Sequence, residues 1–406
     1  MRLAAEMLSV AEAEKLVRDN VALLPMQDCP LGHAQGRTLR QSLVADRDLP
    51  PFDRVTMDGY AIRHAAWGGG IRRFRVAGIQ AAGTIPLQLS KNDEGIEVMT
   101  GAMLPEGADT VVPYEDAERD GDAVTISRTV AVTAGQAVHR RGSDRTVGEV
   151  IVPPGTRLTG REIAVAAACG YAQVSVTMQP AIAVVATGDE LVEVDSPVAP
   201  HQIRRSNDHA LRAALIAAGY PRVERFHLRD MRHEIEHRLW HLIAEYDLLV
   251  LIGGISKGKF DHLPSVLAGL GVVRIFQGVA QRPGKPLWFG LSARRTPIFA
   301  LPGNPVSSYT CLHRYVLPAL AKMSGCPAAP AVPATLTAGV EFKPRLTWFL
   351  PVRIFHGARG ERLAAPDPSN TSGDFAGLVG ADGFVELPAE PEQFPAGTMA
   401  PFWPWV

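Results

Sequence analysis

Four carboxylates and four cations sit in short polar turns between apolar runs of this 406-residue chain, a set suited to phosphoryl chemistry. The carboxylates are Asp189, Glu190, Asp230 and Asp261; the cations are Lys257, Lys259, Arg282 and Lys285. Carboxylates beside phosphate-binding turns hold Mg²⁺, which takes one or two carboxylates together with phosphate oxygens. Lysine and arginine offset charge on a transferring or leaving phosphoryl group. Three turns frame the cations: Gly253-Gly254-Ile255-Ser256-Lys257-Gly258-Lys259, Arg282-Pro283-Gly284-Lys285-Pro286, and Pro302-Gly303-Asn304-Pro305. Glycine lets backbone amides approach a ligand closely, and a helix N-terminus favours an anion. Any one turn or carboxylate has an ordinary explanation as a strand end, a helix cap or a surface ion pair. Their convergence on one predicted sheet points to a pocket for a phosphorylated or oxyanionic ligand. His233, His237 and His241 recur at i, i+4 and i+8, but Glu234 and Arg238 mark that helix as solvated, which disfavours a metal there.

These turns need a scaffold. The run 181–186 ends at Thr187-Gly188-Asp189-Glu190, Arg222–Leu228 ends at Arg229-Asp230, and 247–252 and 297–301 end at the first and third turns. Helices are predicted over about 208–218 and 233–245, with a long one after Asn304-Pro305. Short buried strands alternating with helices predict a doubly wound, mostly parallel α/β sheet, with ligands at the strands' carboxyl ends. All four polar turns then lie on one edge.

The rest of the chain has a different rhythm. Ser9 and Glu12 form a capping-box pattern for a helix over 9–24, as do Thr159 and Glu162 for a helix over 161–169. Residues 37–49 read as a short helix or turn leading into a strand. Short β-like runs fill 60–146 and 334–406. The division expected is an extended N-terminal subdomain (1–49 and 147–178), a β-rich module (50–146), the α/β domain (179–326) and a C-terminal β-barrel-like domain (327–406). A net charge of −1 argues against dedicated nucleic-acid or membrane-surface binding. No run approaches the roughly 20 apolar residues that span a bilayer. Cys29, Cys169, Cys311 and Cys326 lack metal-ligand spacing and read as reduced thiols, so a cytoplasmic location is expected.

Taken in order, several motifs resemble the molybdopterin molybdotransferase family (MoeA-like proteins and the gephyrin E domain). They are Met57-Asp58-Gly59-Tyr60-Ala61, Met99-Thr100-Gly101-Ala102, Arg140-Arg141-Gly142-Ser143-Asp144, Thr187-Gly188-Asp189-Glu190-Leu191, Gly253-Gly254-Ile255-Ser256, Pro283-Gly284-Lys285-Pro286 and Leu301-Pro302-Gly303-Asn304-Pro305-Val306-Ser307. The resemblance spans nearly the whole chain. It implies an elongated homodimer in which adenylylated molybdopterin binds the α/β domain, opposite the partner chain's β module. The implied reaction inserts molybdate at the dithiolene, cleaves the adenylate and releases AMP, with Mg²⁺. It implies catalytic roles for Asp58, Thr100, Asp144, Glu190, Asp230, Asp261 and Lys285, with Glu190 and Asp230 as metal ligands. Ligand contacts fall to Gly253, Gly254, Ser256, Lys259, Arg282, Pro302, Asn304, Pro305 and Ser372. Molybdopterin adenylyltransferase and apo-molybdoenzymes or their chaperones are the partners implied.

The chain departs from the family pattern at several positions. Arg54 and Val55 precede Met57 where Asn and Ser are usual, Arg205 stands where Asp is common, and Ile252 replaces a hydroxyl. Lys259 replaces an acid, His262 an aromatic, and Arg282 a lysine. If Arg205 and Lys259 both face the cleft, they move its charge by about four positive units. A divergent pocket for a more anionic ligand, or one less dependent on metal, is one expectation; local pairing of these cations with nearby acids is the other. A non-inserting carrier of the cofactor, an enzyme on another nucleotide-linked substrate, and a scaffold stay open beside the transferase reading.

Overall fold

The computed structural model describes residues 7–255, 262–326, 331–368 and 371–405. Ser256, Lys257, Lys259 and Asp261 therefore lie outside the described residues. Among the described residues no helix is long and apolar enough to cross a membrane.

The central layer is a six-stranded sheet. Its order is Val223–Leu228, Ile182–Thr187, Leu248–Ile252, Pro297–Leu301, Trp288–Leu291 and Val273–Gln277. The first four strands run parallel, while the last two add as an antiparallel edge. Successive side chains of a strand face opposite sides, and here both sides are covered. Ile182, Val184 and Val250 enter one core with the helices Asn207–Ala217 and Val10–Asn20, whereas Ala183, Val185 and Leu251 enter another with Arg232–Glu245 and Leu263–Gly269. That two-sided burial explains why these strands read as continuous apolar runs. The sheet order places the ends at Gly188, Arg229, Gly253 and Pro302 on one edge.

Both capping boxes form. Glu12 N–H donates to Ser9 Oγ at 3.2 Å and Ser9 N–H to Glu12 Oε2 at 2.8 Å; Thr159 N–H donates to Glu162 Oε2 at 2.8 Å. The helix Val10–Asn20 buries Val10, Ala13 and Val17 in the α/β core. Residues 37–49 contain no helix, contrary to one reading of their sequence. Thr38 bridges Arg157, Leu39 bridges Val176, and Leu43–Val44 pairs with Val150–Val152. Leu39 and Leu43 are fully buried against Leu158 and Val176, so long-range burial outweighs a weak local helix preference.

The β module is a six-stranded sheet in the order Thr110–Pro113, Gly59–Ile62, Glu94–Val98, Arg73–Gln80, Ala123–Ile126 and Ala117–Asp120. In the C-terminal domain, Thr347–His356 pairs with both Arg362–Pro366 and Gly383–Leu387, and Val332–Leu336 and Met399–Pro404 complete the ring. Closure leaves a barrel around Leu350, Val385 and Ala364. The short strand Gln281–Arg282 adds to this barrel by pairing with Thr347 and Trp348.

Candidate functional site

The carboxyl edge of the parallel strands forms an acidic cleft. Gly188 has φ +144°, and a Cβ there would run into the Glu190 carboxylate. His227 Nε2 lies 2.9 Å from the Gly188 carbonyl. A carbonyl only accepts, so this nitrogen carries the proton. Asp230 N–H donates to Asp189 Oδ1 at 3.2 Å, which draws two strand ends together. Burial, and then the nearby charges of Asp189 and Glu190, push the Asp230 carboxyl above the ordinary range. Gly253 and Gly254 both have positive φ, and a Cβ on Gly254 would come within 2.7 Å of Leu263 Cδ1. The positive φ favours glycine there, and the Leu263 side chain leaves little room for a Cβ. Glu190, Asp230, Gly253, Gly254, Gly303 and Pro305 share a cavity of about 240 Å³.

Arg205 lines this cavity, yet its charge is not offered to a ligand. It is 6% exposed, pairs with Glu193, and approaches Asp208 Oδ2 at 2.5 Å. Arg225 meets the same Asp208 oxygen at 3.0 Å. The expected charge gain at this position is therefore corrected: two acids offset it locally. The other half of that expectation, Lys259, lies outside the described residues. Ile252 is buried at its strand end, and Thr187 Oγ1 donates to its carbonyl at 3.3 Å. A hydroxyl thus stands beside the Gly-Gly turn, supplied by the neighbouring strand. Asp208→Ala would leave Arg225 without this partner and the buried Arg205 with Glu193 alone. A loss of about 3–5 kcal/mol is expected in urea unfolding, and an unchanged midpoint would refute the network's role.

The basic turn is elsewhere than expected. Arg282 and Lys285 leave the sheet edge and sit at the seam with the C-terminal barrel, because Gln281–Arg282 pairs there. They line a second cavity of about 430 Å³ with Asn304, Ser307 and Ser372. The cavity is also lined by Glu341, which pairs with Lys343 at 3.4 Å, and by Phe342 and Trp348, whose rings stack at 4.6 Å. Asn304 Nδ2 donates to Ser372 Oγ at 2.7 Å, and Val306 N–H to the Ser372 carbonyl at 3.1 Å. The 302–305 turn divides the two cavities: Asn304 faces the basic one, Gly303 and Pro305 the acidic one. Pro302 is buried under that turn and lines neither.

Asp58, Thr100 and Asp144 occupy the β module and line neither cavity. Asp58 Oδ1 accepts from Thr100 N–H at 2.6 Å and from Thr100 Oγ1 at 2.8 Å. The backbone donor first, and the hydroxyl second, hold its carboxyl below the ordinary range. Thr100→Val removes only the second donor, so a partial rise of the Asp58 pKa is expected in an NMR titration; no change would contradict the assignment. A depressed carboxylate stabilises the fold above its unfolded pKa and loses that contribution as pH falls through the folded value. Asp144 accepts from His139 Nε2 at 2.9 Å, and Arg54 Nη2 approaches His139 Nδ1 at 3.1 Å. Arginine only donates, so Nδ1 is the acceptor and the proton sits on Nε2. Arg54, a departure from the family pattern, thereby fixes the ring that holds Asp144.

In the sequence, no site role attaches to Thr187, Asp208, His227, Ser307 or Gln281. Thr187 and Ser307 stood inside quoted motifs, but their hydroxyls find use only once neighbouring strands and turns meet. Asp208 and Gln281 carried no local signal. The Mg²⁺ expectation can be tested on the donor set. Among the described residues no three His, Cys, Asp or Glu side chains form a metal cage. Glu190 and Asp230 with substrate oxygens and water suit Mg²⁺, which seldom uses an all-protein cage.

An α/β sheet with a two-part cleft, a β module and a closed barrel make this a multidomain α/β and β protein. Residues 8–170 match the MoeA N-terminal region (domains I and II), 183–322 a probable molybdopterin binding domain, and 333–405 the MoeA C-terminal region (domain IV). The molybdopterin molybdenumtransferase of Synechocystis sp. is 40% identical over 400 residues, covering 98% of this chain and 100% of that one. Its namesake from Bacillus subtilis is 30% identical over 387 residues, 91% of this chain and 90% of the other. A crystal structure of a molybdopterin biosynthesis MoeA protein from Pyrococcus horikoshii superposes with a TM-score of 0.83 at 30% identity, covering 99% and 100% of the two chains. The chain belongs to the molybdopterin molybdenumtransferase family.

Proposed function

We propose that this protein inserts molybdenum into adenylylated molybdopterin, with cleavage of the adenylate and release of AMP. The observation that carries this reading is the pairing of two unlike cavities across one turn. The basic cavity offers Arg282 and Lys285 as cations and Ser307 and Ser372 as hydroxyls, a donor set suited to the molybdate oxyanion. Trp348, half-buried and stacked on the buried Phe342, supplies an apolar part of the lining that suits a pterin. The acidic cavity has Glu190 and Asp230 beside the Gly253-Gly254 backbone, which suits the pyrophosphate of the adenylate. Glu190 and Asp230 would hold Mg²⁺ here, which would supply positive charge to the phosphate oxygens. Lys285 would orient the oxyanion near the dithiolene, and the Asn304–Ser372 bond keeps the barrel loop against the α/β turn during that step.

Asp58, Thr100 and Asp144 line neither cavity, which supports a homodimer in which the partner's β module completes the cleft. Ser256, Lys259 and Asp261 are proposed on family grounds as ligand and catalytic positions of the Gly-Gly loop. A cytoplasmic location and hand-over from a molybdopterin adenylyltransferase to apo-molybdoenzymes follow from the same reading. AMP release from purified protein given adenylylated molybdopterin tests it. Release should require molybdate and Mg²⁺ and be lost in Asp58→Ala. Tight binding without molybdate-dependent release would identify a carrier instead.

A further inference from the structure

Beneath the basic turn lies a buried polar pair that the chemistry above leaves unused. Gln281 is 0% exposed and Tyr315 1% exposed. The Gln281 side-chain NH₂ donates to the Gly284 carbonyl at 3.2 Å and lies 3.5 Å from Cys311 Sγ. Its side-chain carbonyl accepts the Tyr315 hydroxyl. Leu312, Val316 and Phe349 share the same core, and the Arg314 guanidinium, paired with Glu14 and Glu386, lies 5.4 Å from the centre of the Tyr315 ring. A buried amide satisfied at both ends fixes geometry, because leaving either end unmade costs the full desolvation of that group.

The pair joins the two ligand turns. Gln281 immediately precedes Arg282, and the carbonyl it holds belongs to Gly284, next to Lys285. Gly284 has φ +91°, and a Cβ there would fall 2.5 Å from Cys311 Sγ and 2.7 Å from Gln281 Nε2, so the turn rests directly on this floor. Tyr315 belongs to the helix that starts at Pro305, just after Asn304 and just before Ser307. That helix passes through a π-helical turn at Leu312–Val316 before continuing as Leu317–Met323. The extra residue of a π turn changes which side chains face a given neighbour, and such turns concentrate at functional sites. One helix therefore carries Asn304 and Ser307 at its start and grips the Arg282–Lys285 turn through Tyr315 further along.

We propose that Gln281 and Tyr315 are positioning residues for the oxyanion cavity, a buried hydrogen-bonded pair that sets the Arg282–Lys285 turn against Ser307 and Ser372. The inference rests on reading that cavity as the molybdate site. Gln281 is among the residues that line this cavity, whereas Tyr315 is not and acts through Gln281 and the turn. Losing the tether should loosen the cations and weaken oxyanion binding while leaving the acidic cleft intact.

Isothermal titration of the full-length protein with molybdate alone tests this, with Mg²⁺ titration and thermal unfolding as parallel readings. Tyr315→Phe should weaken molybdate binding about tenfold, the scale of one buried hydrogen bond and its stranded partner. Mg²⁺ affinity should stay at the wild-type value. The double variant Gln281→Met/Tyr315→Phe replaces both polar ends with apolar groups, so its Tm should recover toward wild type. Its molybdate affinity should remain low, which a merely structural role does not predict. Wild-type molybdate affinity in Tyr315→Phe, or affinity that returns together with Tm in the double variant, would overturn the positioning role. Lys285→Ala separates the two levels: if it alone loses molybdate, the cavity reading stands and the positioning role falls. If no variant loses molybdate, the cavity reading falls and takes the inference with it.

Discussion

Replacing Lys285 with alanine is expected to lower molybdate-dependent AMP release by roughly 10²–10³-fold, the range for loss of one preorganised charge-stabilising donor. Lys285 lines the basic cavity beside Arg282, Ser307 and Ser372, while the acidic cleft lies across the 302–305 turn. The defect should therefore be specific. Molybdate titration should show weakened binding, and excess molybdate should recover part of the rate. Mg²⁺ dependence should be unchanged, because no carboxylate of the acidic cleft lines the cavity that holds Lys285. Arginine is a poor replacement here: its planar fork is larger and presents its charge differently from a lysine ammonium. Lys285→Arg should recover only a fraction of the lost rate. A Lys285→Ala enzyme with wild-type molybdate dependence would remove the basic cavity from the reaction.

Asp230→Asn should produce the opposite pattern. The variant removes one of two carboxylates proposed for Mg²⁺, and a loss of metal affinity of roughly 10–100-fold is expected. Raising Mg²⁺ should recover activity, whereas raising molybdate should not. Stability should move the other way from activity. The Asp230 carboxyl is pushed up by burial and by Asp189 and Glu190, so its ionised form is disfavoured in the folded chain. An acid whose folded pKa is raised destabilises the fold above that pKa, and the cost is relieved as pH falls through it toward the unfolded value. In metal-free protein at neutral pH, Asp230→Asn should then match or exceed the wild-type Tm. The difference should vanish in mild acid, where the wild-type carboxyl takes up its proton. A lower Tm at neutral pH would mean that Asp230 is a structural acceptor whose charge the fold needs.

Much of the scaffold was legible in the sequence for a local reason. Runs such as 247–252 are buried on both faces, and a two-sided strand has to be continuously apolar whatever packs on it. The turns after them need Gly253 and Gly254 at positive φ, so those glycines announce the strand ends. Both capping boxes are four-residue interactions and can be read from four residues. The carboxylates Glu190 and Asp230 fall together because parallel strands share one carboxyl edge, a consequence of topology that alternating strands and helices already imply.

What the sequence could not carry were the contacts made by tertiary packing, within domains and between them. Arg205 read as a cation added to the cleft, but whether a buried guanidinium is free depends on neighbours 3 and 12 residues away that fold onto it, Asp208 and Glu193. Arg282 and Lys285 read as part of the sheet edge, yet the partner of Gln281–Arg282 is Thr347–Trp348, more than sixty residues on, in another domain. Residues 37–49 were ambiguous because their short apolar pattern has no period of its own, and burial of Leu39 and Leu43 by distant strands decided it. Residue types and their spacing thus determined the family, the strand ends and the chemistry available. Tertiary structure decided which charges are offset and that the site has an acidic half and a basic half. It also decided which buried pair holds the basic half in place, because hydrogen bonds and ion pairs depend on distance in space, which separation along the chain does not encode.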